Sequence, residues 1–396
     1  MTFRKEKIEN LISEISMGPF GSNIKVECFV DEGIPVLNGS NLDGFALKEE
    51  SFRYVTEEKA DSLGKANAYR GDIVITHRGT LGQIVFIPET SCRDRYVISQ
   101  SQFRVRCNSK ILPEYMVYYF HTRLGQHKLL SNASQVGVPA LARATTTFQE
   151  IEIEIPDLPT QEKVVKILET IRNKEETNNR INENLERQAF ALFSKLMTTS
   201  SSDETTVSAI ANINPKRTIR RGEEARCVDM SQLSTRGCFP TGWEYKPFNG
   251  GMRFMNGDTL LARITPCLEN GKTAFVNFLD ENEIAFGSTE YIVMASKGIY
   301  PPEFFYCLAR YPAFVDYAVK NMNGSSGRQR VSGETVGNFI LPKLHEHEIK
   351  EFSDFVPRLF SIIKQNSLEN RRLSEIRNAV LPKLMSGEMD VSTLDL

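Results

Sequence analysis

The sequence is short of the residues that announce chemistry. Its seven cysteines, Cys28, Cys92, Cys107, Cys227, Cys238, Cys267 and Cys307, are an odd number, and no two have C-x-x-C spacing. They read as isolated reduced thiols. Of five histidines, only His345 and His347 stand close, with no further Cys or His to complete a metal site. No stretch approaches the roughly 18 apolar residues of a membrane span. The opening Met1-Thr2-Phe3-Arg4-Lys5-Glu6-Lys7 lacks the apolar core of a secretory signal. A cytoplasmic location is the default expectation. Enzymatic signatures are missing as well. Tyr300-Pro301-Pro302-Glu303-Phe304 has no leading Asn or Asp for an amine-methylating loop. Asn270-Gly271-Lys272-Thr273 ends like a phosphate-binding loop, but Pro266 stands where that motif needs glycine.

What is present is 396 residues with 40% hydrophobic and 25% charged side chains, enough for two or three domains. The net charge of −2 does not point to a nucleic-acid binder. Its distribution is uneven, however. Between Arg70 and Arg143 ten Lys and Arg face four acids. That run is compatible with phosphate contacts, and equally with chance surface charge.

The chain also repeats itself, with a period near 188 residues. Ser40-Asn41-Leu42 answers to Ser231-Gln232-Leu233. Gly71-Asp72 before Ile73-Val74-Ile75-Thr76 answers to Gly257-Asp258 before Thr259-Leu260-Leu261-Ala262. Pro113-Glu114-Tyr115 answers to Pro302-Glu303-Phe304, each opening a predicted helix. Polar loops follow at 131–140 and 321–330. Ile155-Pro156-Asp157-Leu158 then answers to Leu341-Pro342-Lys343-Leu344. The alternation of Ile151, Ile153 and Ile155 with Glu152 and Glu154 predicts a strand before this last anchor.

Each half ends in a long predicted helix, about 160–197 and 346–385; only the second holds prolines, Pro357 and Pro382. Val164, Ile171, Asn178, Leu185 and Leu192 are spaced by seven, as are Phe352, Leu359, Asn366, Leu373 and Val380. Such ladders argue for helix pairing. Asn178 and Asn366 share an offset of 188, as do Asn182 and Asn370. Either the seam lapses into solvent there, or a polar layer sets register at some cost in stability. The second half starts where the first helix ends, so its own helix is expected to run back antiparallel.

These features resemble the specificity (S) subunits of type I restriction–modification systems. The resemblance is carried by Gly33-Ile34-Pro35-Val36, Ser40-Asn41-Leu42, Gly71-Asp72-Ile73-Val74-Ile75, Arg78-Gly79-Thr80-Leu81-Gly82, and Ile155-Pro156-Asp157-Leu158-Pro159-Thr160-Gln161-Glu162 leading into a long helix. It covers essentially the whole chain. The second half departs from the pattern, with Arg263-Ile264-Thr265-Pro266 set against Arg78-Gly79-Thr80, and His347-Glu348 against Gln161-Glu162.

The resemblance implies an α+β protein: two tandem α/β target-recognition domains separated by a pair of long antiparallel coiled-coil helices, a pseudo-two-fold dumbbell. Recognition domains are expected at 1–158 and 199–345, with helices at 159–198 and 346–396. It implies a non-catalytic reader of bipartite, asymmetric sites in double-stranded DNA, with no membrane role. Adenine methylation and cleavage would belong to two modification subunits using S-adenosylmethionine and to restriction subunits using ATP and Mg. This chain would itself hold no cofactor or metal.

Candidate base readers are loop groups able to pair with base edges: arginine with guanine, Asn or Gln with adenine. They are Arg78, Gln100, Gln135 and Arg143 in the first half, and Arg263, Lys272, Arg328, Gln329 and Arg330 in the second. A solvated loop charge is the plain alternative for each. Two other classes stay open, a free-standing methyltransferase and a coiled-coil scaffold that never touches DNA.

Overall fold

A computed structural model describes residues 2–134, 137–198, 203–325 and 327–394. Contacts divide the chain into two units, Met1–Arg172 with Ser374–Leu396, and Asn173–Leu373. The end of the C-terminal helix therefore folds with the N-terminal half. Among the described residues, no helix is long and apolar enough to cross a membrane.

The first unit is built on an antiparallel sheet of β1 (Ile12–Met17), β2 (Asp72–Thr76), β3 (Ile84–Phe86) and β4 (Gln102–Cys107), in the order β1-β4-β2-β3. β2 is buried along its whole length, which explains its unbroken apolar run after Gly71-Asp72. Gly71, at φ +79°, makes the turn that admits the strand. A second sheet orders Arg53–Val55, Ile34–Val36, Arg95–Val97 and Asn67–Tyr69, with one parallel pair in the middle. The helices α1 (Pro113–His121), α2 (Arg123–Leu129) and α3 (Ala144–Glu150) follow. Proline opens α1, and six consecutive side chains from Tyr115 to Phe120 are buried.

Much of the basic run is consumed internally. Asp72, fully buried, receives Arg106 Nε at 2.7 Å and Arg104 Nη1 at 3.4 Å from the neighbouring strand, and Arg104 also reaches Glu14. Arg70 pairs with Asp94, and Arg95 with Asp61. The excess charge between positions 70 and 143 is thus not a continuous basic face. A charge buried without a partner is costly, so strand arginines and acids pair first.

The second unit repeats the plan with β5 (Ala211–Ile213), β6 (Asp258–Ala262), β7 (Thr273–Phe275) and β8 (Tyr291–Ser296), in the order β5-β8-β6-β7. Its second sheet, too, has one parallel pair, Glu224–Val228 against Ala285–Gly287. Helices α5 (Pro302–Arg310), α6 (Pro312–Lys320) and α7 (Gly333–Gly337) come next. Here the strand-opening Asp258 pairs with Arg217, which comes from the loop after β5. Burial pushes the Asp258 carboxyl up to about 6 against the pull of that guanidinium.

The long helices are α4 (Leu158–Thr198) and α8 (Glu346–Ser386), 41 residues each. α8 continues through Pro357 and Pro382. Its neighbours Val356 and Leu359 are buried, and tertiary packing offsets the hydrogen bond each proline removes. In the first unit, Val164, Leu168, Leu381 and Leu384 join the core around α1. Gln161 ties the helix start down: it accepts from the Leu112 N–H at 3.0 Å and donates to the Lys110 and Pro156 carbonyls.

In the second unit, Ala189, Phe193, Phe352, Val356 and Leu359 share one core. The two helices run antiparallel there. Asn178 donates to Asn370 and Asn366 donates to Asn182, both at 2.8 Å. The asparagines form a polar layer in the seam, and because the two helices run in opposite senses Asn178 stands opposite Asn370 and Asn182 opposite Asn366. Along α4 the ladder of sevens also drifts. Leu185 and Leu192 are half-buried, whereas Glu186, Ala189 and Phe193 are buried. A helix of 3.6 residues per turn slips about 20° per heptad against a strict repeat.

Candidate nucleic-acid interface

Three loops meet at one edge of the first unit. The His77 N–H donates to the Ser101 carbonyl at 2.9 Å, and the Leu141 N–H to the His77 carbonyl at 2.8 Å. The Gly79 N–H donates to the Pro139 carbonyl at 2.9 Å. These bonds fasten the loop after β2 to the turn before β4 and to the segment between α2 and α3. The His77 ring nitrogen Nε2 lies 3.0 Å from the Gln100 carbonyl, and burial lowers its pKa. A neutral ring donating to that carbonyl fits both facts.

The junction leaves Arg78, Gln100 and Arg143 exposed. Arg143 has left-handed backbone at φ +48° just ahead of α3. That conformation costs a residue bearing a Cβ about 1–2 kcal/mol, a strain that clusters at functional sites. Gln135 lies outside the described residues.

The second unit builds the same junction. The Arg263 N–H donates to the Glu290 carbonyl, the Val331 N–H to the Arg263 carbonyl and the Thr265 N–H to the Gln329 carbonyl, each at 3.0 Å. By this backbone pattern Arg263 occupies the place of His77, and Ile264 that of Arg78. The match of Arg263 to Arg78 suggested by the sequence is therefore one residue out of step. The Arg263 side chain is half-buried, and its Nε is buried without a hydrogen-bond partner.

The remaining candidates differ in freedom. Arg330 forks onto Glu290 at 2.9 and 2.7 Å, and these hydrogen bonds, helped by its charge, hold the Glu290 carboxyl below the usual carboxylate range. Lys272 donates to the Met230 carbonyl at 2.8 Å, which is a structural tie. Arg328 is exposed, and Gln329 is half-buried. Sequence reasoning missed His77 and Glu290. His77 directly follows the recognisable β2 motif, so its position at the strand end was a usable signal. Nothing local marks Glu290 as the partner of a residue 40 positions away. Among the described residues, no group of three or more His, Cys, Asp or Glu is placed to hold a metal.

Residues 25–187 match the family described as the type I restriction modification DNA specificity domain. The type I restriction enzyme HindI specificity subunit of Haemophilus influenzae is 22% identical over 81% of this chain and 87% of its own length. Residues 25–187 thus carry a type I restriction modification DNA specificity domain. A second relative, the EcoAI specificity subunit of Escherichia coli, is 33% identical over a shorter stretch, 36% of this chain and 26% of that one. The crystal structure of a type I S subunit from M. genitalium has the same fold, with a TM-score of 0.59 over 97% of this chain and 96% of that one, at 15% identity. The duplicated junction is the place in each unit where one backbone frame displays different polar side chains.

Proposed function

We propose that each unit reads one half of a bipartite, asymmetric target in double-stranded DNA, and that the chain itself is not catalytic. The observation that carries this reading is the duplicated three-loop junction. The backbone hydrogen bonds are equivalent in the two units, while the groups displayed are not: Arg78, Gln100 and Arg143 in the first, Arg263, Arg328 and Gln329 in the second. Equal frames with unequal donors suit two readers of unequal half-sites. Arginine recognises guanine through two parallel bonds and glutamine recognises adenine, while other contacts go to phosphate and set register. Arg330 and Lys272 hold loops in place and act at one remove.

Partner subunits would supply the chemistry. Two modification subunits would methylate adenine N6 with S-adenosylmethionine. Restriction subunits would cleave, with ATP and Mg. The outward polar faces of α4 and α8, each roughly 60 Å long at 1.5 Å per residue, offer docking surface for the modification subunits.

The test is a map of N6-methyladenine in DNA after co-expression with the cognate modification subunit. Replacing residues 207–345 with the matching segment of a relative should change one half of the methylated motif. A change in both halves would defeat the two-reader assignment. Native mass spectrometry of the complex should count two modification subunits per chain, and a strict one-to-one complex would contradict that stoichiometry.

A further inference from the structure

One side chain near the first junction is out of keeping with water. Phe20 is 83% exposed, the most exposed large apolar side chain among the described residues. Its loop is held firmly. The Gly18 N–H donates to the Gln102 carbonyl at 2.8 Å, and the Asn23 N–H to the Phe20 carbonyl at 2.8 Å. A Cβ at Gly18 would stand 1.9 Å from the Ser99 carbonyl oxygen, and one at Gly21 would stand 2.2 Å from the Gln100 side-chain oxygen. Glycine on both sides of Phe20 thus lets the backbone press against the turn that carries Gln100. That turn in turn binds His77, the neighbour of Arg78. The phenyl ring is presented at the rim where the polar readers of the first unit gather.

The second unit has no aromatic in this loop. The Asn214 N–H donates to the Val293 carbonyl at 2.7 Å, and by strand register Val293 stands where the first unit has Arg104, so Asn214 answers to Ser16. Pro215-Lys216-Arg217-Thr218 then follows where the first unit has Met17-Gly18-Pro19-Phe20. Lys216 is exposed, and Arg217 is taken by Asp258. An ammonium group at this point suits a phosphate. A phenyl ring cannot bond a phosphate or a base edge. What it can do beside a duplex is stack on a base or enter between two of them, as apolar wedges do when they unstack a step.

We infer that Phe20 is a base-stacking wedge that unstacks one step in the half-site read by the first unit, while the second unit, with no aromatic in this loop, leaves the other half-site stacked. This rests on the reading of each unit as a DNA reader. The target is deformed on one side only, and deformability of the unstacked step adds to specificity there without a hydrogen bond.

The experiment uses the full chain with its modification subunits on a duplex carrying the mapped target, with 2-aminopurine placed in turn at each step. Segment replacement first assigns each half-site to its unit. Fluorescence should rise on binding in the first half-site and stay flat in the second. Phe20→Ala should abolish the rise and weaken binding roughly 5- to 150-fold, the loss expected on removing a stacked aromatic. Phe20→Trp should keep both. The slope of log affinity against log salt should be unchanged by Phe20→Ala and should shrink by about one on Lys216→Ala. The ring is exposed, so equal melting temperatures will show that Phe20→Ala still folds. A flat signal in both half-sites, or a rise that survives Phe20→Ala, would overturn the wedge and leave the reader assignment standing. A rise that survives while Phe20→Ala releases the modification subunits would also overturn it, since the ring would then face protein. Failure of the wild-type complex to bind the mapped duplex would overturn the reader assignment, and the wedge with it.

Discussion

Asn178 sits in the seam between α4 and α8 with 1% of its surface exposed. Its Nδ2 donates to Asn370 at 2.8 Å and to Glu369 at 2.8 Å, but its Oδ1 is buried with no partner. Replacing it with leucine has three consequences. The bond to Asn370 is lost, at about 1 kcal/mol net; the one to half-exposed Glu369 can be replaced by water. An unsatisfied buried acceptor disappears, worth about 1–3 kcal/mol. A leucine side chain is buried at a heptad position, worth about 2 kcal/mol. Asn178→Leu should therefore stabilise the second unit by roughly 2–4 kcal/mol, or about 4–16 °C in Tm for a domain of this size. Asn370→Leu should do the opposite, because it leaves one N–H of the buried Asn178 amide without its acceptor, at about 1–3 kcal/mol. Calorimetry on the two single variants and the double variant gives the signs directly. The gain should come with less uniform pairing, seen as extra species in size-exclusion chromatography, because a seam asparagine exchanges stability for register. A lower Tm for Asn178→Leu would refute the reasoning and make the polar layer a net stabiliser.

Arg78→Ala should relax recognition in the half-site of the first unit by about 1–3 kcal/mol, the worth of a bidentate base contact; equal weakening on target and scrambled duplexes would make Arg78 a phosphate contact. Arg330→Ala should weaken binding to target and scrambled duplexes by the same factor, since its fork is held by Glu290; a base-selective loss would show that Arg330 leaves Glu290 to read DNA. Acid should act on the two units with opposite signs. His121 Nε2 donates to the Ile84 carbonyl at 2.9 Å, and burial lowers its pKa. The unfolded ring protonates near about 6.5, so the first unit should lose stability as pH falls below that point. Asp258 is raised to about 6, so the folded second unit holds the extra proton between about 4 and 6 and should gain stability over that range as pH falls. Scanning calorimetry at several pH values reads both slopes; parallel slopes would contradict the assignment.

Much of the plan was legible because its markers are local events. Gly71 and Gly257 both have left-handed backbone, at φ +79° and +90°, and each admits a central strand. Pro113 and Pro302 each open a helix. The identical strand orders of the two main sheets follow the identical order of such markers. The junctions were harder to see. Arg104 and Arg106 looked like part of a basic surface, yet they close on Asp72 from a neighbouring strand. Arg330 looked like a free reader, yet it closes on Glu290. Arg263 looked like the counterpart of Arg78, yet backbone pairing puts it one residue earlier.

By itself, then, the sequence determined the repeat, the order of elements and the antiparallel helix pair, because turns, helix starts and apolar periodicity are written over a few neighbouring residues. Only the tertiary structure decided which charged groups are spent inside each unit and which stand at its rim. That choice depends on partners tens of residues away, brought together by strand register, and on the cost of burying a charge without one.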